Sequence, residues 1–205
     1  MSLFSNLGPN FWRMQLRQWH WISSALCLCG LLLFAATGFT LNHAATLEAK
    51  PHTVHVEKTL PAAAVTALGD AHDKQPVPRA VALAVKQAVG VDISGRSADV
   101  SDEEIFVDLA TPGVDASVTL GRDGSVVFER TTRGTIAVLN DLHKGRHAGP
   151  VWSLFIDILA LACVVFAVTG LGLLWLYSRN RRITWPLVAA GLAAPLILYL
   201  IFVHA

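Results

Sequence analysis

Charge is scarce in this sequence: Asp, Glu, Lys and Arg make up only 15% of its 205 residues, against about a quarter in soluble domains. With 53% of the residues apolar, an intrinsically disordered chain is excluded, because disorder needs low hydrophobicity. An excess of one sign is also missing. The formal net charge of +1 leaves no electrostatic footprint for DNA or RNA. Cysteine is rare: Cys27, Cys29 and Cys163 are too few for a disulfide-stapled secreted scaffold. Glycine, at 15 residues without a three-residue period, excludes collagen. The chain also lacks a Gly-rich phosphate loop, a G-x-S-x-G elbow and an H-E-x-x-H helix. With no nucleotide, flavin or nucleophile constellation, no residue is assigned a catalytic role.

What the chain has instead is long hydrophobic runs. Trp21–Leu41 contains no Asp, Glu, Lys or Arg, and its 21 residues make a helix of about 30 Å, the thickness of the hydrocarbon layer. A second run, 149–177, is interrupted only by Asp157, and a third, 183–203, only by Pro186 and Pro195. The reading is an integral membrane α-helical protein with three transmembrane helices and a small α+β external domain. Its divisions are an N-terminal segment 1–20, spans 21–43, 149–177 and 183–203, an external domain 44–148 and a short loop 178–182. The segment Asn10–Gln18 is expected to start an interfacial turn of helix running into the first span. A cleaved signal peptide is the alternative for that span, but its apolar core exceeds the usual length and a convincing A-x-A site is missing. Retention as an anchor is therefore expected.

Orientation follows from the short flanks. Arg13 and Arg17 precede the first span, and Arg179, Arg181 and Arg182 fill the loop between the second and third. Alternating helices put all five on one side, the cytoplasm. Residues 44–148 hold eleven basic and fourteen acidic residues, a balance of −3, and long translocated segments escape the charge rule. That domain and the C-terminus are expected outside the membrane, in the periplasm of a bacterium whose cytoplasmic membrane carries the chain. Trp19, Trp21, Trp152, Trp175, Tyr177 and Trp185 cluster at the span ends as aromatic belts do.

Within 44–148, His52–Glu57 alternates as a short strand does. Pro61 and Gly69 bracket a short helix Ala62–Leu68, and Pro78 and Gly90 bracket a helix Ala80–Val89. Gly95–Val100, Glu104–Leu109, Ala116–Leu120 and Val126–Thr131 read as strands, with Asp123-Gly124 a hairpin turn between the last two.

Five of the eight histidines mark span ends: His20 at the inner end of the first, His43 at its outer end, His143 and His147 at the outer entry to the second, and His204 at the close of the third. His52, His55 and His72 read as ordinary surface residues of the external domain. His20 and His43 lie about 35 Å apart along a helix and share no ligand. His143 and His147, at i and i+4, share a face if their segment is helical. Such a pair can chelate a small ion, but a haem iron with two axial imidazoles needs donors from opposite sides. His43 with either His143 or His147 meets that condition at the outer face, with His204 a further candidate. At the inner face His20 stands alone and needs a partner chain or a non-histidine ligand. The plain alternative is that these rings hydrogen-bond water or lipid phosphate at headgroup depth.

Asp157 sits about 12 Å into the second span. An intramembrane carboxyl usually faces the bundle, where Thr37 or Tyr199 is at a matching level. It serves either as a protonated structural group or in proton coupling. Cys27 and Cys29 point about 200° apart on a helix, and all three cysteines read as packing residues. Ala36-Thr37-Gly38 and Thr169-Gly170-Leu171-Gly172 supply small surfaces for close helix approach.

With these residues laid out, the chain resembles the PepSY-associated transmembrane helix family in a short three-span version. The resemblance rests on Trp19-His20-Trp21, on Thr37-Gly38, on Asn140-Asp141-Leu142-His143-Lys144-Gly145-Arg146-His147, and on Val168-Thr169-Gly170-Leu171 ahead of Trp175. Helix followed by strands feeding into Leu142-His143 is similar to a PepSY domain. The resemblance implies a haem-b-binding electron-transfer component linked to periplasmic ferric-siderophore or metal-chelate reduction. His20, with His143 or His147, holds the family's ligand-like positions, and a protein or quinol acts as electron donor. It also implies a second class of function, a non-enzymatic membrane-anchored module that binds or regulates a partner protein. Larger members carry more helices and histidines, so a complete electron path here calls for an oligomer with itself or with another protein.

Overall fold

The computed structural model describes residues 9–204. Three of its helices are long and apolar enough to cross a bilayer, as the hydrophobic runs require. Helix α1 spans Pro9–Asn42, α6 spans Gly149–Tyr177, and α7 spans Thr184–Leu198 and continues as a π-helical turn over Tyr199–Val203. At 34 residues, α1 is about 50 Å long, some 20 Å more than the hydrocarbon layer needs. No breaker follows Pro9, so Asn10–Gln18 is the first part of this one helix. The smaller elements are α2 (Ala44–Leu47), β1 (His52–Thr59), α3 (Ala62–Ala67), α4 (Arg79–Val89), β2 (Asp99–Val100), β3 (Glu104–Asp108), β4 (Val114–Gly121), β5 (Ser125–Thr132) and α5 (Thr135–Lys144). The chain divides into two compact units, residues 34–154 and residues 1–33 with 155–205.

The unit 34–154 is built on an antiparallel sheet of order β1-β5-β4-β3-β2. Alternation decides which face is covered. Ile105 and Val107 on β3, Val118 and Leu120 on β4 and Val126 on β5 are fully buried and stack in register. They meet Val81 and Val85 of α4, Leu60 and Leu68 in one core, while Glu104, Phe106 and Asp108 point to the open face. The Asp123-Gly124 turn joins β4 to β5 as expected: Gly124 has φ +89°, and Asp123 Oδ1 accepts the Ser125 N–H at 2.9 Å. Gly90, at φ +76°, caps α4.

Three local readings are corrected. The expected strand Gly95–Val100 is reduced to Asp99–Val100, because Asp92 Oδ1 accepts the Ser94 N–H at 2.9 Å and Gly95 is left-handed at φ +73°, which turns the chain there. Ala62–Leu68 ends one residue early and tightens into a 3₁₀ turn, Leu68–Asp70. The strands do not feed directly into Leu142-His143, for the ten-residue helix α5 carries that segment.

In the unit formed by residues 1–33 and 155–205, α1 and α6 pack antiparallel. Leu16 lies against Gly172, His20 against Gly170, and Leu159 against Gly30. A Cβ at Gly30 would come within 2.5 Å of Leu159 Cδ1, so glycine there sets how closely the helices approach. Ser23 and Cys27 are buried on the same face of α1. Helix α7 has no buried residue. Trp175 and Trp185 meet edge to face at 5.5 Å.

Candidate functional site: two anchored imidazoles

Two histidines are held in nearly the same way. In the unit 1–33 with 155–205, His20 is half-buried, and its ring stacks on Phe166 with centroids 4.7 Å apart and planes 13° apart. Its Nδ1 lies 3.1 Å from Thr169 Oγ1 and 3.2 Å from the Phe166 carbonyl oxygen. Thr169 donates its own hydroxyl proton to the Val165 carbonyl at 2.6 Å, so its oxygen is an acceptor toward the ring. The Phe166 carbonyl can only accept. Nδ1 therefore carries a proton, and in the neutral ring Nε2 keeps the lone pair. Gly170 leaves room for the ring: a Cβ there would stand 3.2 Å from His20 Cε1.

In the unit 34–154, His143 of α5 meets the corresponding residue types on the C-terminal part of α1. Its Nδ1 lies 2.7 Å from Thr37 Oγ1, its ring is 4.9 Å from that of Phe34 but tilted by 42° rather than stacked, and a Cβ at Gly38 would stand 3.4 Å from Cε1. Thr37 Oγ1 also lies 3.3 Å from the Phe34 carbonyl of its own helix, and its contact with the ring ties Nδ1 down. No hydrogen bond of Nε2 in either ring is found among the described residues.

The cradle in both cases is one five-residue pattern. Phe34-Ala35-Ala36-Thr37-Gly38 and Phe166-Ala167-Val168-Thr169-Gly170 place Phe, Thr and Gly at i, i+3 and i+4, on one helical face. The sequence reading treated Thr37-Gly38 and Thr169-Gly170 as small packing surfaces and passed over the repeat. The shared F-A-x-T-G was the signal available.

The remaining predicted ligands are held elsewhere. His43 is exposed, and its Nδ1 bonds the Phe39 carbonyl of its own helix at 3.0 Å while its ring leans on Phe39. Nine residues separate it from Phe34, half a turn out of phase, so it points away from the face that receives His143. His143 and His147 do not form the expected same-face pair. Helix α5 ends at Lys144, Gly145 is left-handed at φ +69°, and His147 itself has φ +54°. The Gly145 N–H reaches the Leu142 carbonyl and the Arg146 N–H the Asp141 carbonyl, a Schellman ending that turns the chain off the helix. His147 Nδ1 lies 4.0 Å from Asp108 Oδ2 instead. His204 is exposed and stacks on Tyr199 at 5.8 Å. Among the described residues no group of three or more His, Cys, Asp or Glu side chains converges as metal ligands do.

The segment around His143 is fastened residue by residue. Asn140 and Asp141 are both buried. Asn140 accepts the Thr40 hydroxyl at 2.9 Å and donates to Glu48 at 2.8 Å. Asp141 Oδ2 accepts the Gly113 N–H at 2.8 Å and pairs with Arg133 at 2.6 Å. Arg146 reaches Asp115 at 2.8 Å, and Trp152 Nε1 donates to the Leu142 carbonyl at 2.9 Å. Asp157, expected to face the bundle, lies exposed on α6 instead and makes no hydrogen bond among the described residues. Of its expected partners, Thr37 is taken up by His143. The three cysteines are free thiols.

A cavity of about 420 Å³ opens beside His20 and is lined by Gly170, Leu173, Leu174, Tyr177 and, at its polar edge, Arg181. Residues 11–204 match the model of a family described as Putative PepSY_TM-like. No curated protein and no solved structure matches the chain.

Proposed function

Because the chain belongs to the PepSY-TM-like family and holds two imidazoles in one repeated setting, we propose that it is a haem-b-binding electron-transfer component of the bacterial cytoplasmic membrane. Its task in this reading is reduction of ferric siderophores or other metal chelates on the periplasmic side, with the domain 44–148 and the C-terminus facing that side. The observation that carries it is the doubled cradle: His20 on Phe166/Thr169/Gly170 and His143 on Phe34/Thr37/Gly38.

The donor set fits the group. An axial histidine needs its non-ligating nitrogen tied down, so that tautomer and ring direction are fixed before the iron arrives. Thr169 and Thr37 do this, and Phe166 and Phe34 brace the rings. Around His20 the walls are glycine and leucine, suited to an apolar macrocycle, and Arg181 supplies a cation for a carboxylate at the polar edge. Bound haem supplies reversible one-electron chemistry at a potential set by its ligands and surroundings. Each cradle offers one imidazole, His20 or His143, and a second protein ligand, where the group takes one, would come from another chain, either a second copy or a partner protein. With no nucleotide or flavin motif in the sequence, the electron donor is a protein or quinol.

The test is a dithionite-reduced minus oxidised spectrum of the full chain, purified after expression with ample haem. A b-type band is expected, with His20→Ala and His143→Ala each removing haem and His43→Ala and His147→Ala retaining it. Absence of any band, or haem undiminished in both cradle variants, overturns the proposal. A second reading, a membrane-anchored module that binds or regulates a partner protein, is favoured by β1. This eight-residue strand is paired on one side only and exposed along nearly its whole length, which makes it open to an added strand. A haem-free protein leaves that reading standing.

A further inference from the structure

A second site lies at the arginine-bearing end of the helices, next to the cavity beside His20. Asn10, Arg13, Arg17, Gln18 and Trp21 follow the helical repeat down one face of α1, and with Tyr177 of α6 they line an open groove of about 830 Å³. Arg17 is positioned there: it hydrogen-bonds the Tyr177 hydroxyl, and its guanidinium carbon lies 5.1 Å from the ring centroid. Arg13 stands one turn before Arg17, so two guanidinium groups address the same space. Beyond Tyr177, which lines both cavities, Arg181 enters the neighbouring one.

These cations have no counter-ion of their own. Residues 1–33 and 155–205 contain Arg13, Arg17, Arg179, Arg181 and Arg182 but a single acid, Asp157. That acid is twenty residues from Tyr177 along α6, a separation of about 30 Å. Among the described residues none of the five arginines makes a salt bridge. The surroundings are those of a bilayer boundary, with Trp12 and Trp19 exposed on the part of α1 ahead of the apolar run and Trp21 exposed at its start. Two arginines without a carboxylate partner among the described residues, in a groove lined also by Trp21 and Tyr177, call for an anion with an apolar body.

We propose that this groove binds the headgroup phosphate of an anionic phospholipid. Arg13 and Arg17 hold the phosphodiester, Asn10 and Gln18 offer hydrogen bonds to its polar head, and Trp21 lies one turn deeper, alongside the glycerol and the start of the acyl chains. Basic grooves at the ends of membrane helices select anionic lipids in this way, and guanidinium matches phosphate geometrically as well as electrically. The site stands independently of any haem.

The experiment is native mass spectrometry of the full chain released from detergent, titrated with phosphatidylglycerol and, separately, with phosphatidylcholine. At about fivefold per arginine, the wild type should favour phosphatidylglycerol by roughly twenty- to thirtyfold. Arg13→Gln/Arg17→Gln should bring the two lipids close to parity, while Arg179→Gln/Arg182→Gln, outside the groove, keeps the preference. Equal binding of both lipids by the wild type overturns the proposal without recourse to any variant. So does an unchanged preference in the Arg13/Arg17 variant, or loss of it only in the Arg179/Arg182 variant. Displacement of bound phosphatidylglycerol by millimolar inorganic phosphate also overturns it, since that marks a plain phosphate site.

Discussion

Truncating Asp141 to alanine tests how the helix carrying His143 is fixed. The carboxylate is 2% exposed and accepts from Arg133 and from the Gly113 N–H through one oxygen, with Arg146 3.7 Å from the other. Removing one partner of a buried ion pair costs about 3–5 kcal/mol, and an orphaned buried N–H about 1–3 kcal/mol. The two overlap, because both describe the same emptied space. Arg133 keeps a second carboxylate, Asp115, at 2.9 Å, which places Asp141→Ala at the lower end, about 3 kcal/mol. Asp141→Asn retains an acceptor for Gly113 and gives up only the charge assistance, a loss of about 1 kcal/mol. Since domains are stable by about 5–15 kcal/mol, the alanine variant should remain folded but be clearly weakened. Denaturant unfolding of the full chain in detergent, followed by near-ultraviolet circular dichroism, gives both numbers. Amide exchange at Gly113 should accelerate in the alanine variant and change little in the asparagine one. An alanine cost below about 1 kcal/mol, or an asparagine variant as weak as the alanine one, would refute the view that this ion pair clamps α5 to the sheet.

The glycines of the two cradles should respond with opposite signs. Exchanging a helical glycine for alanine gains about 1 kcal/mol of backbone preference. At Gly38 the new Cβ meets His143 at 3.4 Å, an ordinary contact, so Gly38→Ala should raise the unfolding temperature. At Gly170 it meets His20 at 3.2 Å, against a ring already pinned by Phe166 and Thr169. Overpacking of about 1–3 kcal/mol should therefore make Gly170→Ala neutral to destabilising, and a rise equal to that of Gly38→Ala would contradict the pinned-ring geometry. In the unit 34–154, hydrogen bonds from Lys86 and then from Ser94 hold the Asp92 carboxyl well below the ordinary carboxylate range. Its contribution is thus present above the unfolded pKa and disappears only as pH falls through the lower folded value. Carbon-detected NMR titration should show that depression, and Lys86→Gln should move the Asp92 midpoint upward; an unmoved midpoint refutes the pairing.

Much of the fold was legible because its signals are local. Runs of twenty apolar residues have one physical outcome in water and lipid, so the spans could be read from composition alone. The β4–β5 hairpin was legible for a similar reason: Asp123 and Gly124 carry the turn within themselves, one through a side-chain acceptor and the other through its positive φ. The expected strand at Gly95 misled because its residues alternate like a strand, while Asp92, three positions upstream, captures the Ser94 amide and bends the chain. Helix α5 was invisible as a helix because much of what stabilises it is remote. Asn140 answers to Thr40 and Glu48, and Asp141 to Gly113 and Arg133.

The histidines illustrate the same division at the level of chemistry. Counting turns along the helices placed His43, His143 and His147 near one membrane boundary, and proximity to a boundary suggested a common ligand. All three Nδ1 atoms in question, of His43, His20 and His143, are tied down, and what separates the rings is where the partner lies. His43 spends Nδ1 on its own helix, whereas His20 and His143 spend theirs on threonines 149 and 106 residues away in sequence. What the sequence did hold was the repeated F-A-x-T-G, one copy in each of the two helices that receive an imidazole. A packing motif needs only small residues at that spacing. At His20 the phenylalanine supplies a stacking wall and Thr169 an acceptor whose own proton goes to the helix, so that setting fixes a tautomer as well as a position, and at His143 the same residue types fix the ring's position. In the function proposed above, the recurrence of those residue types around two separate rings is what separates a prepared donor from a histidine that merely tolerates the headgroup region.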